Sequence, residues 1–185
     1  MNLLCGTLPQ YAVIDGQRVP LHTGWRTAVR ILCAFEDAAL TPAEKQLLLL
    51  SLLYGTPPKN TAAALQAGIR FLNGGLPGGD GKGVRLYSFQ HDAPYIYAAV
   101  QKSHGIDLLA SPQLHWHCFL SLFMDLQEDC LFVRMVYLRR QYAAGRLTKE
   151  EQHAYAQMRH ILTLPVPQDA ETQAFMAALG KTDTP

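Results

Sequence analysis

Between Leu47 and Tyr54 the chain reads LLLLSLLY, and the residues flanking that run leave it one conformation. Upstream, TPAE at Thr41 to Glu44 has the form of a capping box. The Thr41 hydroxyl can accept from the third helical amide, the Glu44 carboxylate can reach back, and Pro42 suits the first helical position. Downstream, Gly55 and Pro57-Pro58 stop a helix. The spacing therefore predicts a helix from about Thr41 to Tyr54. Its apolar run is far shorter than the roughly 20 residues that cross a bilayer. Yet Leu47 to Leu50, Leu52 and Leu53 wrap most of its circumference, so the helix is expected at the centre of a core with other helices around it.

The rest of the chain supplies those helices. YAVIDGQRVPLHT alternates apolar and polar residues about Asp15-Gly16, a pair suited to the positive φ angles of a tight turn, and predicts a small β-hairpin at about 10–22. Trp25, Val29, Leu32 and Phe35 recur at helical spacing with Arg26 and Arg30 beside them. A third helix is expected from Asn60 or Thr61 to about Leu72, ended by Asn73-Gly74. A fourth begins with Asp92 as N-cap, carries Tyr95, Ile96, Tyr97 and Val100, and closes at Gly105. Ser111-Pro112 is read as the start of a buried helix through LHWHCFLSLFMDL, with Pro112 at its first position. Another runs from about Cys130 to Ala144, ending at Gly145, and TKEE at Thr148 to Glu151 is a second capping box. Asp169 is expected to cap a last short helix before a tail that frays. These elements predict a mostly α fold: a compact bundle of about six to eight helices with a small N-terminal hairpin. Residues 1–165 are read as a single helical domain and 166–185 as a short C-terminal helix and tail.

The chain has 185 residues, of which 49% are hydrophobic and 17% charged, an apolar balance that leads us to expect exposed apolar surface and a protein partner. Its net charge of +1 carries no electrostatic footprint for nucleic acid or an anionic membrane. The opening MNLLCGTLPQ lacks the basic and apolar regions of a secretory signal, which places the chain in the cytoplasm. Cys5, Cys33, Cys118 and Cys130 show no metal-type spacing and read as reduced thiols among apolar neighbours.

Several stretches invite a chemical reading. GGLPGGDGKG, Gly74 to Gly83, fails as a phosphate loop, because Leu76 stands where its first glycine is needed and Gly83 replaces the Ser or Thr that would hold magnesium. It is expected to be a mobile surface loop. His115, His117 and Cys118 lie close in sequence, but on a helix two residues apart His115 and His117 diverge by about 200° and cannot share a metal. The remaining metal reading is a metal-dependent enzyme using His91, Asp92, His104 and His115, for which spacing gives no support. Arg134, Arg139, Arg140 and Arg146 read as solvated charge on a helix face. Asp92 is expected to cap with its carboxylate, so that Asn should replace it at little cost, and Asp107 to satisfy loop amides beside Ile106 and Leu108. No local signature selects a nucleophile. The reading is a protein that is not an enzyme and needs no cofactor.

YSFQHDAPYIYAAVQKSHGIDL followed by LHWHCFLSLFMDLQED resembles a bacteriophage family known as gp fifteen, from tailed phages and prophages of Gram-positive bacteria. The resemblance rests on Tyr87, Phe89 and Asp92; on Ile96, Tyr97, Ala98 and Ala99; on Gly105, Ile106, Asp107 and Leu108; and on Leu114, His115 and Trp116. It extends to Leu8-Pro9, Asp15-Gly16, Trp25-Arg26 and Leu162 to Pro165, and so to about residue 165. Gly24 departs from the family by standing where Asp is common. The resemblance implies a gene in the tail module just ahead of the tape-measure gene, a place held by tail assembly chaperones. It implies a binder of the tape-measure protein or a tail-tube subunit in the bacterial host cytoplasm, with no nucleic acid or membrane partner and with self-association left open. A minor tail or head-to-tail joining component retained in the virion is the alternative. Within this reading Tyr87, Phe89, Asp92, Tyr97, Gly105, Asp107, Leu114, His115 and Trp116 are structural residues.

Overall fold

A computed structural model describes residues 6–75 and 84–165. Among them the fold is mostly α: a two-stranded antiparallel hairpin, β1 (Tyr11–Ile14) and β2 (Gln17–Pro20), precedes eight helices. These are α1 (Trp25–Glu36), α2 (Pro42–Tyr54), α3 (Thr61–Leu72), α4 (Ala93–His104), α5 (Trp116–Met124), α6 (Leu131–Ala143), α7 (Lys149–Gln157) and α8 (Arg159–Leu162). The loop expected over Gly74 to Gly83 falls mostly on residues 76–83, and the helix and tail expected after Asp169 on 166–185. Both lie outside the described residues. No described helix is long and apolar enough to cross a membrane.

The local signals set most element ends. Asp15 and Gly16 both take positive φ, 49° and 77°, which matches the turn twist to that of the paired strands. Both capping boxes form, with Thr41 on Glu44 and Thr148 on Glu151. Asn60 caps α3 by accepting from the Ala63 N–H at 3.1 Å, and its amide also donates to the Asp15 carboxylate, pinning the hairpin turn to that helix.

Packing follows α1 against α2, α2 against α3, α3 against β1, α1 against α5, and α4 against both α5 and α6. α2 and α3 approach closely because Gly68 has no side chain: a Cβ there would lie 2.8 Å from Leu49 Cδ2 and 3.1 Å from Leu53 Cδ2. α2 is central on one side only. Its buried positions are Lys45, Leu49, Leu50, Leu53 and Tyr54, a stripe at helical spacing, whereas Leu47 is 59% exposed. The leucine-rich circumference overstated its burial, because the neighbours α1 and α3 cover one stripe and not the whole surface.

α5 starts at Trp116 and not at Pro112, where the sequence alone places its start. Residues 111–115 are held as non-helical chain by distant backbone. The Trp25 N–H donates to Leu114 O at 3.0 Å and the Trp116 N–H to Thr23 O at 2.8 Å, forming an isolated bridge between Gly24 and His115. The Trp25 indole N–H donates to Ser111 O at 2.9 Å. Each bond uses a group that a helix begun at Pro112 would have claimed.

Candidate functional site

The resemblance residues from Tyr87 to Asp92 and from His115 to Trp116 gather at two buried polar joints connected by aromatic rings. The first closes the C-terminus of α3, whose last carbonyls have no partner inside the helix. The Trp116 indole N–H donates to Leu72 O at 2.9 Å and His117 Nε2 to Phe71 O at 2.9 Å. His115 is the N-cap of α5. Its Nδ1 accepts from the His117 N–H at 3.0 Å while Nε2 donates to Pro9 O at 3.1 Å, which assigns the neutral ring with its proton on Nε2. Because His115 precedes the helix, the two imidazoles do not diverge as expected; they meet edge to face at 5.2 Å, and His117 stacks on Phe71 at 4.9 Å. Burial first, and then the neighbouring His115, holds the His117 pKa below its ordinary value, against a raising contribution from its bond to Phe71 O.

The second joint is the segment Arg85 to Asp92. Here Ser88 caps the turn that leads into α4: its hydroxyl accepts from the His91 N–H at 2.9 Å, and the Asp92 N–H donates to Ser88 O at 2.9 Å. Asp92 occupies the N-cap position of α4 but makes no side-chain cap. Its carboxylate instead accepts from the Ser88 N–H at 3.0 Å and takes a bidentate pair from Arg139, with Nη1 at 2.6 Å and Nη2 at 2.9 Å. Asp92 is 0% exposed and Arg139 5%. The expectation of a capping carboxylate is thus corrected, as is that of solvated charge at Arg139. Arg139 also donates to Leu86 O, Ile161 O and Leu162 O, so its planar fork meets two oxygens of one carboxylate and three carbonyls.

Glu36, at the end of α1, completes this joint. It accepts from the Ser88 hydroxyl, from the Phe89 N–H at 2.8 Å and from the Gln90 N–H at 3.4 Å, and it pairs with Arg85 at 3.3 Å. Burial and Glu36 together push the Tyr87 phenol up to about 12. Between the joints lies an aromatic chain. Tyr87 packs edge to face on Phe89 at 5.5 Å, Phe89 meets Trp116 at 6.2 Å, and Trp116 stacks on Phe119, itself stacked on Trp25, at 5.4 Å each.

Gly105 ends α4 at φ 67°, a conformation suited to glycine. Beyond it, Asp107 accepts from the Leu109 N–H at 2.8 Å and from the Tyr97 hydroxyl at 3.1 Å. That bond, with smaller contributions from burial and the Asp107 charge, raises the Tyr97 pKa. Arg26 donates to Leu108 O and Leu109 O, tying the loop to α1.

His91, Asp92, His104 and His115 are not brought together. Among the described residues no three His, Cys, Asp or Glu side chains group as metal ligands would. His91 Nε2 donates to Ile161 O, His104 Nε2 to Leu122 O and His115 Nε2 to Pro9 O, while Asp92 belongs to Arg139.

The roles of Glu36, Arg85, Ser88 and Arg139 are not readable from their local sequence, yet two of these residues leave traces there. Glu36 places negative charge in the last turn of α1, where the helix dipole disfavours it unless donors answer it. Arg139 falls seven residues after Phe132 and four after Met135, on the apolar stripe of α6. A family model described as Bacteriophage Gp15 protein matches residues 4–164. No curated protein and no solved structure matches the chain.

Proposed function

The chain belongs to the bacteriophage Gp15 protein family, and from that premise we propose that it is a phage tail assembly protein, a chaperone-like binder of the tape-measure protein or of tail subunits. The observation that carries this reading is the direction in which the motif faces. Asp92, Ser88, Trp116, His115 and His117 point inward and hold helix ends, so the motif serves the scaffold. What the scaffold turns outward includes large apolar side chains: Leu47, Leu109, Met124, Leu131 and Tyr142 are all exposed. Such side chains suit a partner that is itself a long apolar chain. The tail-module gene position implied by the resemblance supplies one.

Co-expression with the tape-measure and tail-tube reading frames of the same phage tests the proposal. The tagged chain should retain one of them through purification, and mass spectrometry of finished particles should find the chain missing. Stoichiometric presence in the particle would make it a structural component, and failure to retain either partner would overturn the chaperone reading.

A further inference from the structure

We propose that α7 and α8 form a lid that opens as a unit about Gly145 while α1 to α6 stay folded, uncovering an apolar face on α4 and α6. Four observations carry this. α7 has no buried residue. Along its seam with α6 runs a solvent-open groove of about 300 Å³ lined by Arg134, Tyr137, Leu138, Glu150, Glu151 and Ala154, so water already reaches between the two helices. The lid is served by a cluster of its own, Met135, Leu138 and Leu162, separate from the main core. Gly145, at φ 66°, stands at the turn joining α6 to α7, where a few residues can absorb a hinge rotation.

The ties that close the lid are few, and none of those named here is an ion pair. Leu162 is buried against Met135 and Leu138. Tyr155 stacks on Tyr142 at 4.4 Å, and the Tyr137 hydroxyl donates to Glu151 at 2.7 Å. Arg139 donates to Ile161 O and Leu162 O, the carbonyl end of α8; His91 also reaches Ile161 O, and Arg85 reaches Pro165 O. Removing a buried ion's partner is the expensive event in a joint of this kind. Opening the lid avoids it. Asp92 belongs to the body, so Arg139 keeps its carboxylate and Leu86 O while the freed carbonyls pass to water. The surface left behind is Met135 and Leu138 on α6 with Tyr95 on α4. The opening does not depend on the tail-assembly reading.

Native-state hydrogen exchange of the full chain, with two substitutions, tests the lid. Detached from the body, helices of nine and four residues do not keep their hydrogen bonds, so Leu162→Ala should speed exchange of α7 and α8 amides by about thirtyfold or more, the lower end of what deleting a buried leucine produces. Ile31→Val weakens the main core, where Ile31 is fully buried, without touching the lid. Amides of α1 to α3 that exchange by global unfolding should then speed up about two- to tenfold, while those of α7 and α8 keep their rates, because the weakened core is intact in both the closed and open lid. If Ile31→Val speeds α7 and α8 by the same factor as α1, the segment opens only when the whole molecule unfolds and the lid is overturned. No acceleration in a folded Leu162→Ala protein would overturn it equally.

Discussion

The joint at His115 to His117 and the joint at Ser88 to Asp92 both hold helix ends against one aromatic core, but with different chemistry. At the first, neutral N–H groups of Trp116 and His117 meet the last two carbonyls of α3. At the second, two ion pairs, Asp92 with Arg139 and Glu36 with Arg85, are sunk among turn amides and carbonyls. A neutral joint can lose one bond and keep the rest, and its weakness is protonation. An ionic joint fails as a unit, because removing one partner leaves the other charged and dry. Specificity of place and tolerance to damage therefore come from different parts of the same motif.

The largest effect should come from splitting the ionic joint. Asp92→Ala and Asp92→Asn should each lose about 3–5 kcal/mol in chemical denaturation, since neither answers the buried guanidinium. A nearly harmless Asn, the behaviour of a simple cap, would erase the contrast between the joints. Replacing both partners with apolar residues, Asp92→Leu with Arg139→Met, should recover much of that loss, which a sum of single effects would not give.

Trp116→Phe probes the neutral joint while keeping a smaller aromatic ring. It removes the donor to Leu72 O, at about 1–3 kcal/mol for a buried acceptor left unpaired, and the cavity left by the lost indole atoms adds to that. A loss as large as that of Asp92→Asn would mean that the two joints fail alike. Thr148→Ala lies outside both and removes only a cap on α7, so a loss of about 1 kcal/mol is expected, read from the thermal midpoint.

The smallest effect is a slope with pH. His117 has a folded-state pKa below its ordinary value of 6.5, so the unfolded chain takes up the proton first as pH falls. Its contribution is present in full above that value and declines as pH drops from it toward the folded-state pKa. His117→Phe should flatten the stability profile in that window, as urea titrations at stepped pH would show. An unchanged slope would assign the dependence to another group.

Where helices start and stop was legible in the chain read locally. Thr41, Asn60 and Thr148 cap as their neighbours dictate, Gly105 ends α4, and Asp15-Gly16 turns the hairpin. Each outcome is settled within a few residues, because the groups that satisfy one another are adjacent in sequence. The start of α5 was not legible, since the backbone of Thr23 to Trp25 comes from a distant part of the chain to hold His115 extended. Nor was the exposure of Leu47 and burial of Lys45, which depend on how many neighbours α2 meets.

The motif divides the same way. Tyr87, Phe89, Asp92, His115 and Trp116 stood out as a set, but the chemistry of the set waited on residues that the tertiary structure brought to them. Asp92 reads as a cap until Arg139 arrives from 47 positions away, and Ser88 reads as ordinary turn residue until Glu36 reaches it across 52. A carboxylate before a helix serves equally well as a cap in water or as a counterion in a core, and the local chain is the same for both. Only folding, by excluding water from around Arg139, decides which of the two it becomes.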